Sequence, residues 1–207
     1  MIYKQISEKT AQRTDIAVYF DVTGQKGVTI TEPKENEKAW AQAGAAWTSF
    51  TENPNAQTKT RKFINEKTER NNITRYSPQW AYEVLLMFER PEIAMVYDIV
   101  KQRKTGSDTI VTFVVVDLFK PTETGNEYEA RLVKAAVQVS SLDDDDDMIM
   151  KGTLYNQGDE VLGTFNTSTG VFTSASAATE ASQSADKAVA DNAAAESETK
   201  NTENTEE

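Results

Sequence analysis

The most conspicuous chemistry-bearing stretch is Asp143 to Asp147, five consecutive aspartates. Clustered carboxylates invite a hard cation such as Ca2+, which takes roughly six to eight oxygen ligands. The spacing does not suit an EF-hand: no glycine stands at the sixth position, and Lys151 to Leu154 stand where the bidentate glutamate belongs. Successive carboxylates on a strand would point to both faces and repel, so the run reads as a solvated turn between strands or part of an acidic lining. Glu83 and Asp117 are the carboxylates best placed on strands for acid–base work, but nothing in the sequence pairs them. Gly24 and Gly27, in Thr23-Gly-Gln-Lys-Gly, lack the Lys-Ser/Thr that completes a phosphate loop and read as a hairpin turn. Trp40, Trp47, Trp80 and Phe50 suit either a core or a sugar-stacking platform.

Composition removes most other chemistry. The 207 residues contain no cysteine and no histidine, which excludes disulfides, zinc sites of the usual ligands, thiol catalysis and an imidazole base. With 22 Lys and Arg against 33 Asp and Glu, the net charge is −11, the wrong sign for gripping nucleic acid or an anionic membrane by neutralising phosphates. The first fourteen residues are polar and mixed in charge, unlike a secretory signal, and no apolar run approaches the roughly 20 residues of a membrane helix. A soluble protein made in a cytoplasm is expected, with no metal, no cofactor and no catalytic residue.

The elements that position these residues are mostly strands. Ile16, Val18, Phe20 and Val22 alternate with Ala17, Tyr19 and Asp21, the pattern of a half-buried strand. Residues 80–88 repeat the alternation, and 110–118 are apolar on both faces, as a central strand covered on both sides would be. Within 128–140 the apolar positions change phase, from Tyr128, Ala130 and Leu132 to Val133, Ala135, Val137 and Val139. That change predicts a β-bulge, or a bend carrying one long strand from one sheet to another. Strands over 148–155 and 160–166 and a hairpin at Thr167 to Gly170 follow, with Gly158 and Gly170 supplying positive backbone angles. One helix is signalled over about 91–104, with Pro91 in the first turn, apolar residues at Ile93, Val96, Tyr97 and Val100, and Gly106 as the stop. The expected fold is mainly β: two packed antiparallel sheets, a sandwich or barrel, with one covering helix.

Two segments depart from this body. Residues 174–207 hold Val189 as their only large aliphatic residue and carry eight acidic side chains against Lys187 and Lys200, a net −6. Such a segment cannot offset its ordering entropy, so a body of residues 1–173 followed by a disordered, acidic tail is expected. Residues 51–77 form a long polar connection with isolated anchors at Phe63, Ile64 and Ile73. From Lys59 to Arg75, six basic residues (Lys59, Arg61, Lys62, Lys67, Arg70, Arg75) oppose Glu66 and Glu69, a net +4 opposite in sign to the rest of the chain.

Several stretches together resemble the major tail (tail-tube) proteins of long-tailed, non-contractile phages and prophages of Gram-positive bacteria: Arg61-Lys62-Phe63-Ile64-Asn65-Glu66 with Thr74-Arg75-Tyr76-Ser77, the helix from Pro91 to Val100, Leu154 to Gly158, Gly163 to Asn166, and Val171-Phe172-Thr173. The resemblance covers residues 59–173. It implies the two-sheet fold of tail-tube and type VI secretion tube proteins, in hexameric rings stacked into a hollow virion tail tube through which DNA is ejected. It implies, as partners, further copies of the chain, a tape-measure protein, a tail terminator and a distal tail protein, with DNA passing unbound. A loop after the early strands meets the next ring in such proteins, which makes Lys59, Arg61, Lys62, Phe63, Ile64, Lys67, Arg70 and Arg75 inter-ring contact candidates. The polar positions of the long strand, Glu127, Glu129, Arg131, Lys134 and Gln138, are lumen candidates. The rival reading is a β-sandwich binding module that takes a carbohydrate or receptor on its tryptophans.

Overall fold

The computed structural model describes residues 12–23, 39–123, 125–144 and 147–177. The Gly24–Gly27 turn, Asp145 and Asp146, and the acidic tail from residue 178 lie outside them. Eleven strands and one helix follow in order: β1 (Ile16–Asp21), β2 (Trp40–Gln42), β3 (Trp47–Asn53), β4 (Ala56–Arg61), β5 (Arg70–Tyr76), β6 (Gln79–Leu85), α1 (Pro91–Lys101), β7 (Ile110–Pro121), β8 (Glu127–Asp144), β9 (Met148–Asn156), β10 (Val161–Asn166) and β11 (Val171–Ser174). Nine strands form one antiparallel sheet, ordered β2-β1-β7-β8-β9-β6-β3 with the β10–β11 hairpin branching from β8, while β4 and β5 pair only with each other. The fold is thus mainly antiparallel β, as the periodicity implies, with α1 the one α-helix longer than a turn among the described residues. The two layers arise by curling of one sheet, because aromatic side chains from its two ends meet: Phe20 of β1 stacks on Trp47 of β3 at 5.1 Å and meets Phe50 edge-on.

The long strand β8 organises this sheet. Its pairing with β7 is unbroken from Ile110↔Ala136 to Val116↔Ala130, straight through the point where the apolar positions change phase. No bulge lies there. Side chains of an unbroken strand alternate between faces, and two cores use opposite faces of β8. Val133, Ala135 and Val137 point into the main core with Phe20, Trp80, Phe113, Met150 and Leu154. Ala130, with Tyr128 and Leu132, points into a smaller core with Ala17, Val114, Val116, Phe165 and Phe172. β7 serves both in the same way, so its two-sided apolar character holds. β1 is covered on both faces too, with Ala17 buried against the small core, and is not half-buried. The bulge in β8 falls later, between Val139 and Ser141, where β9 passes so close that a Cβ on Gly152 would sit 2.1 Å from the Gln138 carbonyl oxygen.

β9 and β10 do not fold back on each other. Both run along the same edge of β8, β9 beside residues 135–144 and β10 beside residues 127–132, and the turn around Gly158 (φ +104°) only steps the chain sideways. Gln157 N–H donates to the Lys134 carbonyl at 2.8 Å and keeps that step attached. β10 then turns through Gly170 (φ +67°) into β11, and Phe165 packs on Tyr19 and Trp40 to close the small core.

Pro91 opens α1 at its first turn, where the missing N–H costs nothing, and Ile93, Met95, Val96 and Ile99 face the main core. Glu92 is buried beside Arg90, 3.4 Å from its Nε. The helix stops earlier than Gly106: Arg103 takes the left-handed conformation (φ +50°), and Lys104 N–H returns to the Ile99 carbonyl. Gly106 instead opens a separate 3-10 turn over Gly106–Thr109. No helix among the described residues is long and apolar enough to cross a membrane.

If the small core is a true core, emptying it must cost as much as emptying the main one. Phe165→Ala is expected to lower unfolding free energy by about 3–5 kcal/mol, matching Phe113→Ala in urea denaturation. A loss below about 0.5 kcal/mol, the usual range of a surface change, would show that the β10–β11 hairpin is only laid on the surface.

Candidate functional site: a basic ribbon and its root

The polar connection over residues 51–77 is a β-ribbon. β3 and β6 pair up to Asn53↔Gln79, and β4 and β5 resume in the same register at Ala56↔Tyr76, so a single hairpin runs out of the curled sheet. That register sets Pro54 against Pro78 at the junction. Neither has an N–H to give the ladder, so the ribbon leaves the sheet there. Asn55, with φ +45°, fits the break: its N–H bonds the Asn53 side chain, and its carbonyl accepts from Ser77 N–H.

Beyond the junction the ribbon divides into two chemically different faces. Paired residues share a face, which puts Gln57 and Arg75, Lys59 and Asn72, and Arg61 and Arg70 on one side, and Ala56 and Tyr76, Thr58 and Ile73, and Thr60 and Asn71 on the other. The register shift between Gln57 and Thr58, with Thr74 as the extra residue, is what puts Arg75 on the basic side. Every residue of β5 is exposed. At the tip, Phe63 and Ile64 stand in solvent, Ile64 fully so, while Glu66 forms a two-bond ion pair with Arg70, whose guanidinium sits 5.6 Å from the centre of the Phe63 ring. Of the inter-ring candidates, Lys59, Arg61, Arg70 and Arg75 therefore share one face, Phe63 and Ile64 form the tip, and Lys62 and Lys67 lie in the connecting loop.

The ribbon is tied to the body at its root. Arg131 of β8 donates to both carboxylate oxygens of Glu52, at 2.8 and 3.0 Å, and to Glu160 at 3.2 Å. Glu52 is the penultimate residue of β3 and Glu160 precedes β10, so one guanidinium joins three segments next to the proline junction. The Arg131 hydrogen bonds hold the Glu52 carboxyl below its ordinary range despite partial burial, and the Glu52 carboxylate in turn holds the Arg131 guanidinium in its charged form. Trp80 Nε1 has no hydrogen-bond partner in good geometry, yet lies near enough to Glu52 to favour its charged form. Beside this cluster opens a groove of about 530 Å³, lined among others by Arg75, Tyr76, Asp159 and Glu160.

The lumen candidates do not share one surface. Alternation along β8 puts Glu127, Glu129 and Arg131 on the face that carries Val133, and Lys134 and Gln138 on the opposite one. Glu127 accepts a hydrogen bond from Thr164, Glu129 pairs with Lys120 at 2.7 Å, and Arg131 belongs to the root cluster. The carboxylates considered for acid–base work are also separated: Glu83 on β6 interacts with Lys151 and Asp117 on β7 with Lys120. Trp80 is buried in the main core, Trp47 stacks on Phe20 and Trp40 meets Phe165 edge-on, so each tryptophan is engaged in packing. Asp143 is ion-paired with Lys151 at 2.9 Å, and Asp147 is exposed. Sequence reasoning missed the Arg131 cluster, whose partners lie 79 and 29 positions away.

Removing the guanidinium leaves two partly buried carboxylates unpaired, so Arg131→Gln is expected to cost about 1–2 kcal/mol at pH 7, a charge-assisted bond discounted for its partial exposure. Because the folded Glu52 carboxyl is held low, this contribution is fully present above the unfolded value of about 4.3 and is lost as pH falls through the folded value. Urea midpoints for the two proteins should therefore converge under strongly acidic conditions. A gap that stays constant with pH would assign the effect to packing.

No protein-family model matches the sequence, and no curated protein matches it. Among solved structures the chain is similar to a chain from the electron cryomicroscopy structure of the anti-feeding prophage baseplate, sixfold symmetrised, with 10% sequence identity and a TM-score of 0.42 over 74% of this chain and 95% of that one.

Proposed function

We propose that this chain is a non-catalytic structural protein of a phage-like particle, which stacks in hexameric rings to build a tail tube for the passage of DNA. The observation that carries this reading is the ribbon: a self-paired hairpin, basic on one face and tipped with Phe63 and Ile64, held out from an otherwise acidic body. Folding leaves its apolar side chains in water, which makes sense for a surface that another subunit covers. Head-to-tail assembly needs two different complementary surfaces on each subunit, and a cationic projection on an anionic chain supplies that asymmetry. The net charge also suits a conduit, since an acidic wall does not retain DNA. The carbohydrate-binding alternative loses its main support with the tryptophans committed to packing.

Light scattering of the full chain across concentration is expected to show reversible growth, and negative-stain microscopy to show particles of uniform width. The growth should weaken toward 1 M salt, where the screening length falls to about 3 Å. Lys59→Glu with Arg61→Glu should abolish it without moving the urea midpoint, because both residues are exposed. A chain that stays monomeric at every concentration and binds a glycan array would overturn the proposal in favour of the binding module.

A further inference from the structure

The end of the β3–β6–β9 sheet opposite the ribbon has the complementary character. β6 runs from Gln79 at the ribbon to Leu85 at the far end, and β9 runs the other way, from Met148 to Asn156 at the ribbon root. At the far end Leu86 N–H donates to the Met148 carbonyl at 2.9 Å, and Leu142 pairs with Met150. The chain leaving β6 and the start of β9 are thus neighbours there. Met87, Phe88, Leu142 and Met148 are all exposed by more than two-fifths. Leu142 and Met148 extend the inward-facing row of Met150 past the limit of the core, and Phe88 rests edge-on against Tyr97 of α1. Beside this apolar patch stand Glu89 and Asp147, both exposed, while Asp143 lies on the opposite face of the strand and is matched by Lys151. Among the described residues, this end joins Glu89 and Asp147, which make no ion pair, to exposed apolar side chains, while the ribbon joins Lys59 and Arg61, which make none either, to exposed Phe63 and Ile64.

We propose that the Met87–Phe88–Met148 end, with its acidic rim, is the docking surface for the ribbon of a second copy of this chain, with Phe63 and Ile64 seated on the methionines and Lys59 and Arg61 facing Glu89 and Asp147. The proposal rests on the stacking reading above and gives it a specific contact. From Arg70, the ladder partner of Arg61, to the Leu85 end of β6 the contour is roughly 50 Å at about 3.3 Å per residue. The ribbon continues one end of β3 and β6 and the patch lies at the other, so each contact joins two copies.

The absence of cysteine allows a direct test. Ile64→Cys combined with Met148→Cys in the full chain, oxidised at a concentration where the wild type assembles, is expected to give a ladder of dimers, trimers and higher species on non-reducing gels. Each single variant has one thiol per chain, so it cannot pass dimer, and it should stay largely monomeric because its docked neighbour offers no second thiol within the roughly 7 Å between Cα atoms that a disulfide requires. Glu89→Lys with Asp147→Lys should abolish assembly, and combination with Lys59→Glu and Arg61→Glu should restore it. Assembly by light scattering without a ladder, and indifferent to the Glu89 and Asp147 reversals, would overturn this docking surface while leaving self-assembly intact. A wild-type chain that never assembles would overturn both.

Discussion

The structure depends on the ladder between β7 and β8. Because its register holds from Ile110↔Ala136 to Val116↔Ala130, each face of the strand pair keeps a fixed set of side chains. One face is committed to Phe20, Phe113 and Trp80, the other to Phe165 and Val114. A slip of one residue would exchange the two sets and empty both cores at once. Everything else attaches to this pair: β1 to one side, β9 and β10 end to end along the other, and α1 over the main core. With both faces of the central strands covered, the outer end of the sheet is free to serve something other than stability.

The ribbon is what that freedom produces. A two-stranded hairpin with both faces wet has little of its own to hold it together, and this one relies on its continuation from β3 and β6 and on the Arg131 cluster at its base. The facing prolines interrupt the ladder at the junction while the guanidinium fastens Glu52 and Glu160 beside it. The strand with fixed alternation therefore both builds the cores and anchors the projection, since Arg131 lies on β8 two residues before Val133 of the main core.

How much of this the sequence reveals follows from which residues are buried. β1, β6, β7, β9 and β10, the helix and the overall class are legible because alternation or helical spacing of apolar residues marks one buried face. The phase change in β8 was legible as a signal, but its cause is a second core and not a bulge, and alternation alone cannot distinguish the two. β3 is hidden because the bulge between Trp47 and Ser49 spaces its inward aromatics, Trp47 and Phe50, three apart. β4 and β5 bury nothing and so show no period, although the net charge and the anchors Phe63 and Ile64 did single the segment out. The Arg131 cluster and the grouping of Met87 with Met148 depend on pairings between distant strands, which local pattern does not encode.

The central claim is that the ribbon exists as a formed element in the free subunit and is covered when subunits join. Native-state hydrogen exchange on the full chain, in dilute solution and again after concentration, tests both parts in one measurement. The account predicts measurable protection of β4 and β5 amides in the dilute protein, and a further slowing on concentration in the ribbon and in residues 86–89 together. Ribbon amides exchanging at unprotected rates in dilute protein, or rates in both regions unaffected by concentration, would contradict it.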